Sequence, residues 1–277
     1  MSGTLAVVAT PIGNLDDLSP RAAATLREAD LVLAEDTRRT GRLLAHIGSE
    51  VPQRSLHGHN ERASIDEVIT RLREGARIAL VSDAGTPAVS DPGARLLAAC
   101  VEAGIRIEPV PGPSAALAAL VASGLPTERV AFEGFLPRKG RDRRERLAEI
   151  AGEARTVVLF ITPHRAAADL DDLASTCGPD RPAVLCRELT KLHEEVVHGD
   201  LEQLAERART GLRGEITLVV AGAQRSEPAA LSDAELAAQV AARVASGATH
   251  RDAIRAVAEV TGTPKRRVYQ SVVDAER

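Results

Sequence analysis

The sequence predicts an α/β protein, two α/β domains followed by a small C-terminal helical tail, with divisions at 1–123, 124–224 and 225–277. Three observations carry this expectation. The first half repeats one phrase: a short apolar run, a cluster of turn-forming or charged residues, then a segment of helical period. After PGPSAALAALVASGLP the pattern changes and a second strand-rich set begins. From Gln224 the sequence loosens into RSEPAAL and then gives three capped helical phrases.

The apolar runs of the first half fall at 5–9, 31–34, 78–81 and 105–110, with a weaker one at 54–56. Strands alternating with helices imply a mostly parallel sheet, in which the loops after the strand C-termini share one rim, where ligands bind. Those loops read TPIGNLDDLSP, EDTRRTGRLL, HGHNERAS, SDAGTPAVSDPG and PGPSAALAAL. The connections at the opposite rim (27–30, 74–77, 102–104) are plain by comparison. In the second half, EGFLPRKGRDRRERLAEI reads as a turn leading into a helix, further strands are expected at 155–161, 183–187, 194–198 and 215–221, and helices at 166–176 and 201–210. In the tail, Ser232 with Glu235 forms a capping box, Thr249 heads a second helix and Thr263–Pro264 a third. Its last two helices, the final one opened by Lys265, Arg266 and Arg267, suit a helix-turn-helix or a helical packing appendage.

Composition narrows the function. A net charge of −4 gives no global field to draw in nucleic acid, so any basic surface is local. The three cysteines lack C-x-x-C spacing, which argues against a disulfide framework or a zinc site and for the reducing cytoplasm. MSGTLAVVATP has no basic n-region, and no apolar run reaches spanning length, so neither secretion nor a membrane is expected. Aromatic residues are 1% of the chain, which argues against a stacking platform for bases. With lysine at 139, 191 and 265 alone, arginine does nearly all the cationic work.

Several motifs carry chemistry. LVSDAGTPAVSDPG is no phosphate-gripping P-loop, because it lacks G-x-x-x-x-G-K and brings in Asp83 and Asp91. Its Gly85 and Gly93 allow close backbone approach, Pro87 stiffens it, and its carbonyls or an Asp can face a positive centre. S-adenosylmethionine, with its ammonium, sulfonium and ribose diol, is such a ligand; turn and helix capping is the competing use of both Asp residues. TPIGNLDDLSP lacks G-x-G-x-x-G, which disfavours a dinucleotide, and Pro11 and Gly13 shape a narrow turn on the binding rim. In EDTRRTGRLL, Arg38 and Arg42 share a helical face and could hold a phosphodiester, although a solvated salt-bridge face is the commoner use of such a pattern. HGHNE, with His57 and His59, is a weak metal pattern and a better proton-handling or ribose-contacting loop. PRKGRDRRER is the one dense basic patch, with Arg138, Lys139, Arg141, Arg143, Arg144 and Arg146, and suits an RNA backbone, a charged helix face being the alternative.

Taken in order, TPIGNL-x-D, EDTR, the Asn60-Glu61 end of HGHNE, LVSDAGTPAVSDPG, PGPSAALAALVASGLP, FEGFLPRKG, PHR, RELTKLHEE and GE-x-x-LVV span most of the chain. This combination resembles the bacterial small-subunit ribosomal RNA (cytidine-2′-O)-methyltransferases of the tetrapyrrole methylase (class III methyltransferase) superfamily. The resemblance implies two α/β domains with S-adenosylmethionine in the cleft between them, a small-subunit ribosomal RNA or ribosomal particle as partner, and a homodimer. It places Gly85, Thr86, Pro87, Val89 and Ser90 where the superfamily's Gly-Asp-Pro loop lines the cofactor. Ser114, Ala115, Phe160, Ile161, Leu189, Glu215 and Ile216 match further cofactor segments, and Pro11, Gly13 and Asp83 join them from the rim. The family usually reads Tyr-Glu-Ser before Pro-His-Arg; this chain has Phe160, Ile161 and Thr162, so no carboxylate stands there.

Methyl transfer to a ribose oxygen is an in-line displacement helped by a base, for which Asp36, His59 and Glu61 are the candidates, and it requires no metal. Two rivals remain at this point: a small-molecule methylase of the same fold, whose cleft would need no arginine-rich loop, and a non-catalytic RNA-binding protein, which would need no glycine- and proline-shaped pocket.

Overall fold

The structure, a computed structural model, describes residues 3–58, 60–224 and 231–275. Five parallel strands, β1 (Thr4–Val8), β2 (Leu31–Ala34), β3 (Gln53–Ser55), β4 (Arg77–Val81) and β5 (Arg106–Val110), form a sheet of order β3-β2-β4-β1-β5. Helices α1 (Pro20–Glu28) and α2 (Thr37–His46) cover one face, against Ala6, Val8, Val32, Ala34 and Val81. Helices α3 (Glu61–Arg73) and α4 (Ala94–Glu102) cover the other, against Leu5, Leu33, Ile78 and Leu80. Burial on both faces explains why these strands read as unbroken apolar runs and not as alternating ones. Because β1 and β4 are neighbours, the loops leaving them meet: the Thr10 amide donates to the Gly85 carbonyl at 2.9 Å and the Gly85 amide to the Thr10 carbonyl at 3.0 Å.

The second sheet, of order β6-β7-β10-β8-β9, comprises β6 (Val130–Phe135), β7 (Thr156–Ile161), β8 (Pro182–Arg187), β9 (Glu195–Asp200) and β10 (Ile216–Val220). Only β6 and β7 pair in parallel; the other neighbours are antiparallel. Strand β6 is absent from the sequence expectation, which treats its second half as a turn. Its alternation is broken by a bulge between Phe132 and Gly134, and Gly134 has φ +61°, so the usual period-two signature is missing. Helices α6 (Arg141–Gly152), α7 (Ala166–Cys177) and α8 (Leu201–Arg209) bury one face, on Val157, Leu159, Leu185 and Leu218. The opposite face, with Val158, Val184 and Val219, is covered by Ala119 and Leu120 of α5 (Ala115–Ser123), the helix that follows β5 in the chain. Both sheets thus belong to one compact unit, residues 1–223.

Residues 224–277 form a second compact unit. It holds α9 (Asp233–Ala245), α10 (His250–Thr261) and α11 (Lys265–Ala275) around Leu236, Val240, Val257 and Val268. Two of the expected caps are present: Ser232 and Glu235 close a reciprocal capping box, and Thr249 accepts from the Asp252 amide. Most of RSEPAAL, residues 225–230, lies outside the described residues.

Candidate functional site

A cleft of about 360 Å³ opens between the C-terminal rim of the first sheet and the second sheet. Asp83, Gly85, Thr86 and Val89 line it from the loop after β4, Ser114 and Ala115 from the start of α5, and Phe160, Ile161, Glu215 and Ile216 from the second sheet. The other residues matched to the cofactor, Pro11, Gly13, Pro87, Ser90 and Leu189, do not line the cleft. A Cβ on Gly13 would overlap the Lys191 side chain, and Leu189 is buried under Ile12 and α5. Asn14 makes an Asx turn, accepting from the Asp16 amide at 3.1 Å.

Lining residues that sequence reasoning left unassigned are chiefly Glu35, Asp91, Phe135 and Thr162. Glu35 and Asp91 stand inside quoted motifs, but nothing in their spacing shows which of several carboxylates turns inward. The Thr162 hydroxyl is buried at the cleft wall and bonds no protein group.

The electrostatics of the cleft are one-sided. Burial raises the carboxyl pKa values of Glu35 and Asp83. Asp91 is pushed up to about 6, first by burial and then by the Glu35 charge. The groups are linked: the Asp83 amide donates to Glu35 at 3.3 Å, and Asp83 accepts from the Asp36 amide at 3.0 Å. Arg39 approaches Asp83 at 3.4 Å, and Lys191 holds Glu215 at 3.0 Å. With four carboxyls and few cations, the cleft suits a ligand that is itself positive. S-adenosylmethionine fits this donor set: carboxylates for its ammonium and sulfonium, the unpaired Thr162 hydroxyl for a polar group, and Ile12, Ala84 and Ile216 for its apolar parts.

The three residues expected to act as base do not survive as a set. Asp36 caps α2, accepting from the Arg38 amide at 2.8 Å, and the Arg38 guanidinium, at 2.7 Å, holds its carboxyl well below the usual carboxylate range. That makes it a poor proton acceptor. The same pair corrects the expectation that Arg38 and Arg42 grip a phosphate together: Arg42 is exposed, but Arg38 is turned back on Asp36. Glu61 is 5% exposed, and its carboxylate accepts from the Arg95 and Leu96 amides at 2.9 and 3.1 Å, satisfying the first turn of α4. It is a structural cap. His59 lies outside the described residues. Removing the Glu61 acceptor leaves a buried amide, Leu96, and a part-buried one, Arg95, unpaired, so Glu61→Ala is expected to cost about 1–3 kcal/mol in urea unfolding while Glu61→Gln, which keeps an acceptor oxygen, costs clearly less. Equal losses would refute the capping role.

The basic segment also divides. Arg138, Lys139, Arg141 and Arg144 are exposed, Arg141 being paired with Glu145. Arg143, expected to contact RNA, is instead buried: it bonds Asp169 at 2.8 Å, Asp172 at 2.6 Å and the Pro137 carbonyl at 2.9 Å. Arg165, of the PHR motif, completes this bracket by bonding Asp169 and the Arg138 carbonyl. Arg146 is partly committed, to Glu133 and Glu149.

Comparison with known proteins agrees with this architecture. The family model of tetrapyrrole (corrin/porphyrin) methylases matches residues 4–205. "Ribosomal RNA small subunit methyltransferase I" of Synechocystis sp. is 46% identical, over 99% of this chain and 99% of its own. The protein of the same name from Mycobacterium tuberculosis is 48% identical, over 100% of this chain and 96% of its own. Among solved structures, uroporphyrin-III-C-methyltransferase from Thermus thermophilus superposes with a TM-score of 0.59 at 26% identity, covering 79% of this chain and 94% of that one. Because that similarity runs through both sheets, the cleft and the helical tail, the chain belongs to the tetrapyrrole methylases and, within them, to the ribosomal RNA small subunit methyltransferase I family.

Proposed function

We propose that the protein methylates small-subunit ribosomal RNA with S-adenosylmethionine, and that the acceptor is the 2′-oxygen of a cytidine ribose. The relatives' names support the coarser part, ribosomal RNA methylation. The observation that carries the reading is a cleft rich in carboxylates beside an exposed basic segment, one suited to a cationic cofactor and the other to a phosphate backbone.

When bound, S-adenosylmethionine supplies an electrophilic methyl group on a sulfonium. The chain's own residues do the rest. Asp83, Glu35 and Glu215 offset positive charge, and the Gly85 turn, at φ +79°, keeps the cleft floor bare of side chain. Asp91 accepts the proton of the ribose hydroxyl: it faces the cleft, is ionised at neutral pH, and is more basic than an ordinary carboxylate. The test is to incubate the protein with small-subunit particles and labelled S-adenosylmethionine, then digest the RNA to nucleosides. Label in 2′-O-methylcytidine is expected; label on a base, or none, overturns the reading.

The exposed basic residues are assigned to the RNA backbone. Replacing Lys139 and Arg144 with Ala should weaken RNA binding and flatten its log–log salt dependence by roughly one unit for each duplex-like phosphate neutralisation removed, leaving cofactor affinity unchanged. Superimposable salt plots for wild type and variant would remove this segment from the interface. A homodimer is part of the same proposal, with the exposed Leu117 and Val121 of α5 offering apolar surface for it. Among the described residues no helix is long and apolar enough to cross a membrane; a cytoplasmic setting goes with the ribosomal substrate.

A further inference from the structure

The chain has three phenylalanines in 277 residues, and the fold brings all of them to one spot. Phe132 and Phe160 meet edge to face with ring centroids 5.1 Å apart, and Phe135 lies 5.5 Å from Phe160. The grouping depends on an irregularity. Residues three apart on a regular strand point to opposite faces, so Phe132 and Phe135 should diverge. The bulge in β6 pairs Phe132 with Val158 and Phe135 with Phe160, two positions on one face of β7, and so turns both rings to the same side.

These rings are not closed off as a core cluster would be. Phe132 is 40% and Phe135 49% exposed, and Phe135 and Phe160 form the cleft edge beside Val89. Gly134, between them, is fixed by contact: a Cβ there would come within 2.7 Å of the Ser90 hydroxyl, so the loop after β4 presses directly on this strand. Three residues beyond Phe135, at most about 11 Å of chain, the exposed basic segment begins at Arg138. An exposed aromatic face, an exposed basic stretch and the cleft therefore adjoin, one for each part of a nucleotide: base, phosphate and ribose.

We propose that the Phe132–Phe135–Phe160 cluster is the stacking seat for the target nucleobase, a pyrimidine drawn out of the RNA stack so that its ribose reaches the cleft. This rests on the RNA-methyltransferase reading above. The favoured occupant is the substrate base and not the adenine of the cofactor, because Phe132 stands outside the cleft lining while still offering exposed aromatic surface. Extruding a base costs unstacking, and aromatic rings are the side chains that recover it without sequence-specific hydrogen bonds.

The test compares two competitors of particle methylation, oligocytidylate and an abasic ribose-phosphate oligomer of equal length. Both carry the phosphates that the basic segment reads; only the first carries bases. Wild type should be inhibited by oligocytidylate about tenfold or more tightly than by the abasic oligomer. Phe132→Leu, which keeps apolar volume but removes the one ring of the cluster outside the cleft lining, should lose most of that preference, with S-adenosylmethionine affinity by calorimetry within about twofold of wild type. Phe132→Tyr, which keeps the ring, should retain the preference. Any of three results overturns the seat: an undiminished preference in the Phe132→Leu variant, a parallel loss of its cofactor affinity, or a changed oligomeric state in sedimentation. Failure of wild type to methylate particles would instead overturn the underlying reading, whereas normal methylation with no base preference overturns the seat alone.

Discussion

Asp91→Asn is expected to lower the methylation rate by about 10²–10⁴ while making the protein more stable at pH 8. In the proposed reaction the rate falls because an amide cannot take the ribose proton. For wild type, activity should rise with pH and level off above about 6, where Asp91 is ionised, and this inflection should vanish in the variant. The stability change has the opposite sign for a reason in the same site. Burial and the Glu35 charge raise the folded-state pKa of Asp91 from 3.8 to about 6, so the folded protein holds this proton more tightly than the unfolded chain does. Wild-type stability therefore falls as pH rises from about 4 to 6, and the neutral amide escapes that penalty. The shift would correspond to about 3 kcal/mol for a fully sheltered group; with solvent access it reduces to about 1 kcal/mol. Thermal unfolding of both proteins at pH 4 and pH 8 checks it. A variant that is inactive and also less stable at pH 8 would mean that Asp91 serves the fold.

Arg143→Ala is expected to cost about 3–5 kcal/mol of stability. The side chain is 8% exposed and faces Asp169, itself 5% exposed, so its removal strands a buried carboxylate with only Arg165 left to it at 3.1 Å. It also frees the Pro137 carbonyl, and with it the backbone that carries Arg138 and Lys139. Urea unfolding gives the stability. Salt titration of RNA binding separates this residue from its neighbours, since conditions that keep the variant folded should leave its slope at the wild-type value. A normal stability with a flattened slope would put Arg143 back among the phosphate-binding residues.

Much of the fold was legible because parallel strands buried on both faces announce themselves as apolar runs, and because Ser232 and Thr249 mark helix starts by a mechanism that acts locally. The cleft was legible as a rim, since the Gly85 turn and the start of α5 must both lie at strand C-termini. What escaped depends on side-chain direction. Five acidic residues, Glu35, Asp36, Glu61, Asp83 and Asp91, sit in motifs of similar appearance, yet two cap helices and three face the cleft. Likewise Arg143 and Arg144 are adjacent in a basic run, and only the helical phase of α6 sends one inward. The low aromatic content argued against a base-stacking surface because a composition counts residues without saying whether they gather.

Helix α5 is reached from the first sheet but buries its inner face on the second, where it covers Val158, Val184 and Val219. The two halves are thus not modules that could be cut apart between 123 and 124: a second half made alone would expose a bare sheet face, and a first half made alone would trail an apolar helix with nothing beneath it. Loosening one half strips the other, so the cleft's two walls are kept or lost together. An enzyme that must hold a reactive cofactor away from water while admitting a bulky polymer gains from this arrangement a wall that cannot fray independently.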